Sequence, residues 1–366
     1  MPTPPFRRLA TASLTLLMTC ALFLSGCSAM TPSHTDSAGV ALSAAQLVDN
    51  PKDYEGPSTA RLTTAVLNPV AQEPEPALPV QVTDAQGSNV SITDVSRILP
   101  IDLYGTSSRI VFDLGLGKNV VGRDTSSDFA EIKDLPLVTH DGHQLNAEAI
   151  LQLAPTVIIT DSSLGPWDVV LQMRDAGIPV FVVDSHRSLE NAGEMITQIA
   201  TALGVTEQGT KLAERTASEV STISAQIKDI APSGNDRLRM LFLYARGQAG
   251  VYYLFGEGSG ADSLITSLGG VDIATEIGWR GMRPMTDEAL IEAKPDLIIM
   301  MSSGLESAGG IDGILDSVPA LALTAAGTKR RIVDMSDSDV LSFGPNSAAV
   351  LEALSVAIYA PAAAAK

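Results

Sequence analysis

The sequence predicts an α/β protein of two lobes, each with a central, mainly parallel sheet flanked by helices, joined by one long rigid helix. Three observations carry this. First, Thr206–Ile230 is a polar stretch in which Leu212, Val220, Ile223, Ile227 and Ile230 recur at mostly helical spacing. As one helix it would run about 37 Å at roughly 1.5 Å per residue. Its apolar stripe is too thin for a core helix, so it is expected to span the back of two compact units. Second, His143–Ile159 and Arg283–Ile299 coincide at an offset of 140 residues (288 − 148 = 140), matching Glu148/Glu288, Ala149/Ala289, Pro155/Pro295, Ile158/Ile298 and Ile159/Ile299. Each copy reads as an N-cap (Asn146, Thr286), an amphipathic helix, a proline that stops it, and β-branched residues for a buried parallel strand. Third, strand and helix patterns alternate along the chain at the spacing of βαβ units.

Taken in order, Val80–Thr83 and Val90–Ile92 flank the polar turn Asp84–Asn89 and read as a hairpin. Arg97–Leu99 begins a strand, Ser107–Leu114 a helix, and Val120–Val121 another strand ending in Gly122-Arg123-Asp124. After the first repeat copy come a helix at Trp167–Ala176, a strand at Val180–Val183 and a helix at Leu189–Leu203. Gly204 can close that helix, Thr206 can cap the long one with Glu207 in its first turn, and Pro232, Gly234 and Asn235 mark its end. Beyond it the pattern restarts: strand Arg239–Leu243, helices Ser263–Leu268 and Asp287–Ala293, strands Leu297–Met300 and Arg331–Val333, helix Ser347–Ile358.

An apolar fraction of 45% with only 4% aromatics in 366 residues suits an α/β chain with two cores. Arg7 and Arg8 precede the apolar run Leu9–Leu24, as in a secretion signal, and the run is short for a spanning helix. It ends in Leu24-Ser25-Gly26-Cys27, which resembles a bacterial lipoprotein box; the resemblance makes Cys27 the lipidated first mature residue on the outer face of the cell membrane. Residues 1–26 are then the signal and 27–79, rich in Ala, Pro, Ser and Thr, a flexible tether. The first lobe is expected over 80–205, the connecting helix over 206–231 and the second lobe over 232–366. Cys20 lies in the removed segment, so no thiol remains for a disulfide, a thiolate metal site or a nucleophile. The net charge of −18 becomes −20 without the +2 of Arg7 and Arg8. That disfavours nucleic acid and anionic membrane as direct partners and suits a basic protein partner.

Enzymatic motifs are lacking. Gly256–Gly260 has neither the lysine of a phosphate loop nor the acid of a dinucleotide site, and no G-x-S-x-G string sits at a strand–helix turn. No enzyme is expected. Of four histidines, His34 lies in the tether and His186 beside Asp184, while His140 and His143 occupy the loop Thr139–His143 directly before the first repeat helix. In an open parallel sheet ligands sit there, outside the carboxyl ends of the strands. The second lobe's counterpart is Trp279-Arg280-Gly281-Met282-Arg283. Tyr244 and Arg246 end that lobe's first strand, two apart on one side. A guanidinium near a phenol favours its anion, and a phenolate suits ferric iron. With a histidine from the opposite lobe it would complete a six-coordinate iron.

The lipoprotein box, the repeat bearing Glu148 and Glu288, and the long helix resemble the helical-backbone (class III) substrate-binding proteins of ABC importers for haem, cobalamin and ferric siderophores. Within that class, Gly142-His143 before Asn-Ala-Glu, together with Tyr244-Ala-Arg246 and Val251–Gly258, is similar to the haemin-binding lipoproteins of actinobacterial haem importers. The resemblance implies a monomer holding haem between lobes, with His143 and Tyr244 as axial ligands and Arg246 hydrogen-bonded to the tyrosine. It also implies a methionine near the haem, Met301 rather than Met300. Further candidate contacts are His140, Tyr253, Trp279, Arg280 and Arg283. Glu148 and Glu288 would form salt bridges with arginines of a permease dimer that works with an ATPase. A ferric siderophore or cobalamin binder of the same architecture, and a divalent-metal receptor using His140, His143 and carboxylates, are the alternatives.

Overall fold

The computed structural model describes residues 39–63 and 67–364; the expected signal segment, Cys27 and His34 lie outside them. No helix among the described residues is long and apolar enough to cross a membrane.

The strands are β1 (Ser58–Ala60), β2 (Val80–Thr83), β3 (Asn89–Ile92), β4 (Ile98–Ile101), β5 (Thr139–His140), β6 (Gln144–Leu145), β7 (Val157–Thr160), β8 (Val180–Val182), β9 (Arg239–Arg246), β10 (Val251–Phe255), β11 (Val271–Asp272), β12 (Met282–Pro284), β13 (Leu297–Met301) and β14 (Ile332–Met335). In the first lobe β4, β7 and β8 form a three-stranded parallel sheet. It is covered on both faces, as the β-branched runs require. Ile98, Val157, Ile159 and Phe181 belong to one core cluster, with Ile196 and Ile199 of the Ala192–Ala202 helix. Leu99, Ile101, Ile158, Val180 and Val182 belong to another, with Ile150 and Val170 from the helices Ala147–Gln152 and Trp167–Asp175.

The second lobe carries a seven-stranded sheet, β1-β14-β13-β9-β10-β12 with β11 beside β9. Pairing is parallel from β1 to β9 and antiparallel at β10 and β12. Alternate residues again serve two cores: Met240, Phe242, Ile299 and Val333 on one face, Leu241, Leu243, Ile298 and Ile332 on the other.

The long helix covers Thr206–Ile230 and serves both lobes, for Leu212 lies in a first-lobe core while Ile223 and Ile227 lie in a second-lobe core. Its cap position is Val205, with no side-chain bond, so Thr206 is the first helical residue and not the expected cap. Gly204 does close the preceding helix, at φ +72°, where a side chain would meet the Ala77 carbonyl.

The tether expectation fails for residues 39–63 and 67–79. Leu42 and β1 pack into the second lobe, Val48 N–H donates to the Tyr359 carbonyl, and the buried Arg331 donates to Ser58 Oγ at 2.9 Å. Further on, Val70 N–H donates to the Asp113 carbonyl and Ala77 N–H to the Gly204 carbonyl of the first lobe. Proline-rich composition sets an extended path; whether that path is free depends on backbone partners from distant parts of the chain.

Candidate functional site

The histidine loop is a hairpin, β5 against β6, turned by Asp141 and Gly142 at φ +46° and +91°. An Asp-Gly pair is the usual hairpin signal, where the sequence reading saw only a loop. The Gly142 carbonyl accepts from Thr125 Oγ1 at 2.7 Å, and Asn146 caps the Ala147–Gln152 helix by accepting from Ala149 N–H at 3.0 Å. His143 is thereby held half-buried at the base of the turn. Its Nδ1 is buried with no hydrogen-bond partner among the described residues. Burial pushes its pKa below the ordinary histidine value; Arg246 of the other lobe adds to this, and Asp337 opposes it. The imidazole is therefore biased towards its neutral, ligating form.

On the other wall, Tyr244 pairs across strands with Tyr253, ring centroids 6.5 Å apart, and stacks on Phe255 at 6.2 Å. Met300 lies beside Leu243, so Met301 falls one position on, level with Tyr244 and on the same face, and both pack on one core cluster. Strand alternation then sends Met300 to the opposite face, where it is fully buried and cannot be a ligand contact.

Tyr244 makes no hydrogen bond among the described residues, so the expected Arg246 bond is not formed here. Arg246 instead reaches across the lobes, its Nη2 3.1 Å from where a Cβ on Gly142 would stand. Side chains two apart on a strand run parallel, and the longer one extends past its neighbour.

The remaining candidates divide. His140 is exposed and paired with Asp141 at 3.2 Å. Tyr253 and Trp279 are half-buried. Arg280 is 74% exposed and 3.0 Å from Glu257, and Arg283 Nε donates to the Arg280 carbonyl. Among the described residues no group of three or more His, Cys, Asp or Glu is placed to hold a metal ion.

What sequence reasoning missed is a cluster of buried acids beyond β4, β7 and the Val120 bridge to Ile98. Asp102, Asp124 and Asp161 follow successive strand patterns and are all fully buried. Asp102 accepts the N–H groups of Tyr104, Thr106 and Ser107; Asp124 accepts those of Asp102 and Ser127; Asp161 pairs with the buried Arg187. The signal was an aspartate directly after two of the strand patterns, Asp102 and Asp161, and three residues after Val121 for Asp124. This cluster shapes the loops that meet the second lobe. There Leu189 N–H donates to Ser263 Oγ at 3.2 Å, and Gly260 lies so close to the Arg187 carbonyl and the Phe343 ring that any side chain would clash.

Residues 101–338, most of the two lobes just described, match the family described as periplasmic binding protein. The chain belongs to that family. Among solved structures this periplasmic binding protein resembles the heme binding protein HmuT, at 43% identity and a TM-score of 0.81 over 85% of this chain and 99% of that one. Forms of HmuT with a histidine, a tyrosine or an arginine replaced by alanine match similarly. RhuT, a periplasmic heme-binding protein from Roseiflexus sp. RS-1, is 34% identical with a TM-score of 0.67 over 74% of this chain and 100% of that one. The uncharacterized ABC transporter substrate-binding lipoprotein YvrC of Bacillus subtilis (strain 168) is 26% identical over 237 residues, 63% of this chain and 71% of that protein.

Proposed function

We propose that this periplasmic binding protein is the haem receptor of an ABC importer, anchored through lipid on Cys27 to the outer face of the cell membrane. It captures ferric haem between its lobes, with His143 and Tyr244 as axial ligands, and delivers it to a permease dimer driven by an ATPase. The observation that carries this reading is the reach of Arg246. Two residues from Tyr244, it reaches the turn bearing His143, so the strand that carries the phenol faces the loop that carries the imidazole. The neutral bias of His143 suits an imidazole that must offer a ring nitrogen lone pair to a ferric centre. The histidine, tyrosine and arginine changed in HmuT are the same three residue types.

In the loaded state Arg246 turns back towards the Tyr244 oxygen and favours its phenolate. Tyr253 and Met301, on the same sheet face, cover the macrocycle beside the tyrosine. Arg280 and Arg283 meet the propionates, Arg280 leaving a surface ion pair with Glu257 of small worth. Trp279 and His140 line the rim. Glu148 and Glu288, at matching positions of the two lobes, engage arginines of the permease. The receptor works as a monomer because one chain supplies both walls.

The test is optical. Titrated with ferric haem, the wild-type protein is expected to shift the Soret band away from that of free haem, to a position that changes in His143→Ala and in Tyr244→Ala. A ferric siderophore or cobalamin receptor of the same build would leave the band of free haem unshifted, and spectra of both variants identical to wild type would sink the ligand assignment.

A further inference from the structure

The two repeat helices, Ala147–Gln152 and Asp287–Ala293, share more than an acid. Both are capped by a side chain accepting the N–H three residues on, Asn146 from Ala149 and Thr286 from Ala289. Both expose a large aliphatic residue one turn after the glutamate: Leu151, 47% exposed, and Ile291, 51% exposed. These are again 140 residues apart (291 − 151 = 140). Residues i and i+3 share a helix face, so each lobe shows a carboxylate and an aliphatic group side by side. Each patch has a neighbour of its own. The Trp167–Asp175 helix packs beside the first and carries exposed Leu171; the Pro319–Ala322 helix packs beside the second and ends at Leu323, 78% exposed.

Neither glutamate is committed inside the protein. Glu148 accepts only from Gln152 of its own helix, and Glu288 has no partner among the described residues. An exposed aliphatic residue taken singly needs no explanation. Two of them at equivalent positions of an internal repeat, each beside a carboxylate that has no cation paired with it among the described residues, form a duplicated surface.

We infer that Leu151 and Ile291 are apolar anchors of the same docking surface as Glu148 and Glu288, and that the surface fits a two-fold symmetric partner. The partner is the permease dimer of the importer, each half offering a cationic side chain beside an apolar recess. This rests on the importer reading above. A duplicated acid-plus-aliphatic motif on one chain is matched by a partner with two equal halves, and an acidic body is matched by basic recesses. The carboxylates steer approach and set orientation, while the aliphatic groups, desolvated on contact, supply much of the affinity.

The experiment measures the concentration of full-chain protein giving half-maximal stimulation of ATP hydrolysis by the permease–ATPase complex in nanodiscs. Leu151→Ser and Ile291→Ser are each expected to raise it roughly fivefold, and the double variant at least about twentyfold. Both sites are exposed, so thermal unfolding and the ferric haem spectrum should not move. A double variant within twofold of wild type overturns the inference, and so does an effect confined to one of the two positions. A dimer of this chain in ultracentrifugation, lost in the same variants, would also overturn it by putting a second copy on the face. Wild-type protein that fails to stimulate the complex sinks the importer reading itself, whereas a Soret band left at its free-haem position sinks only the choice of ligand.

Discussion

Arg109 Nη2 of the first lobe lies 3.4 Å from Asp339 Oδ1 of the second, and both groups are largely withdrawn from water. Arg109 also rests 4.8 Å above the Phe129 ring, and Asn346 Nδ2 donates to the same Asp339 oxygen. Burial raises the Asp339 pKa, and the Arg109 charge holds it back. The lobes are thus clasped by a charge pair as well as by the long helix.

Removing one member strands the other in a dry site. Arg109→Ala is expected to cost about 3 kcal/mol in denaturant unfolding, while replacing both partners by apolar residues of similar size should recover most of it. Amides of the 336–346 segment should exchange faster in the single variant. A loss below about 1 kcal/mol would mean the pair is not a clasp.

Gly142 has two reasons to be glycine, a φ of +91° and the nearness of Arg246. Gly142→Ala should destabilise by about 1 to 2 kcal/mol, displace Arg246 and weaken ferric haem binding. Equal stability and equal affinity in the variant would show that the turn tolerates a side chain and that Arg246 has other resting places.

Burial, together with the charge of Asp102, pushes the Asp124 pKa up to about 7; burial likewise lifts Asp161 to about 6. Because these values exceed the unfolded value of 3.8, the folded protein holds protons that the unfolded chain releases. The resulting stability is complete below the unfolded pKa and is lost as pH rises through 7. Thermal midpoints followed from pH 5 to 8 should therefore fall with pH more steeply in wild type than in Asp124→Asn. Parallel curves for the two proteins would refute the assignment.

Arg331 is buried, its pKa lowered to about 10 by that burial, and it donates to Ser58 Oγ, Ala357 O and Ile358 O. Ser58→Ala leaves Arg331 Nη1 only the long bond to the Gly56 carbonyl at 3.5 Å and should cost about 2 kcal/mol in denaturant unfolding. A neutral result would return the 39–63 segment to the role of a loose strap.

Most elements were legible because their signals are local. The repeat halves carry a cap, a periodic helix, a stopping proline and a β-branched run within seventeen residues, and the long helix announces itself by one thin stripe. The strand β10 was not read as one. Val251–Phe255 is aromatic and only partly buried, and it becomes a strand by pairing with β9 across the turn at Gly247–Gly250.

By itself, the sequence determined the fold class, the equivalence of the two lobes through their repeat, and the residue types of the candidate site, because each depends on spacing along the chain. Tertiary structure decided the rest. It drew the proline-rich stretch onto both lobes, buried Met300 while leaving Met301 beside Tyr244, and sent Arg246 to the His143 turn in place of the phenol. It also brought Arg109 to Asp339. Those outcomes turn on which groups meet from distant parts of the chain, and on whether burial leaves them a partner.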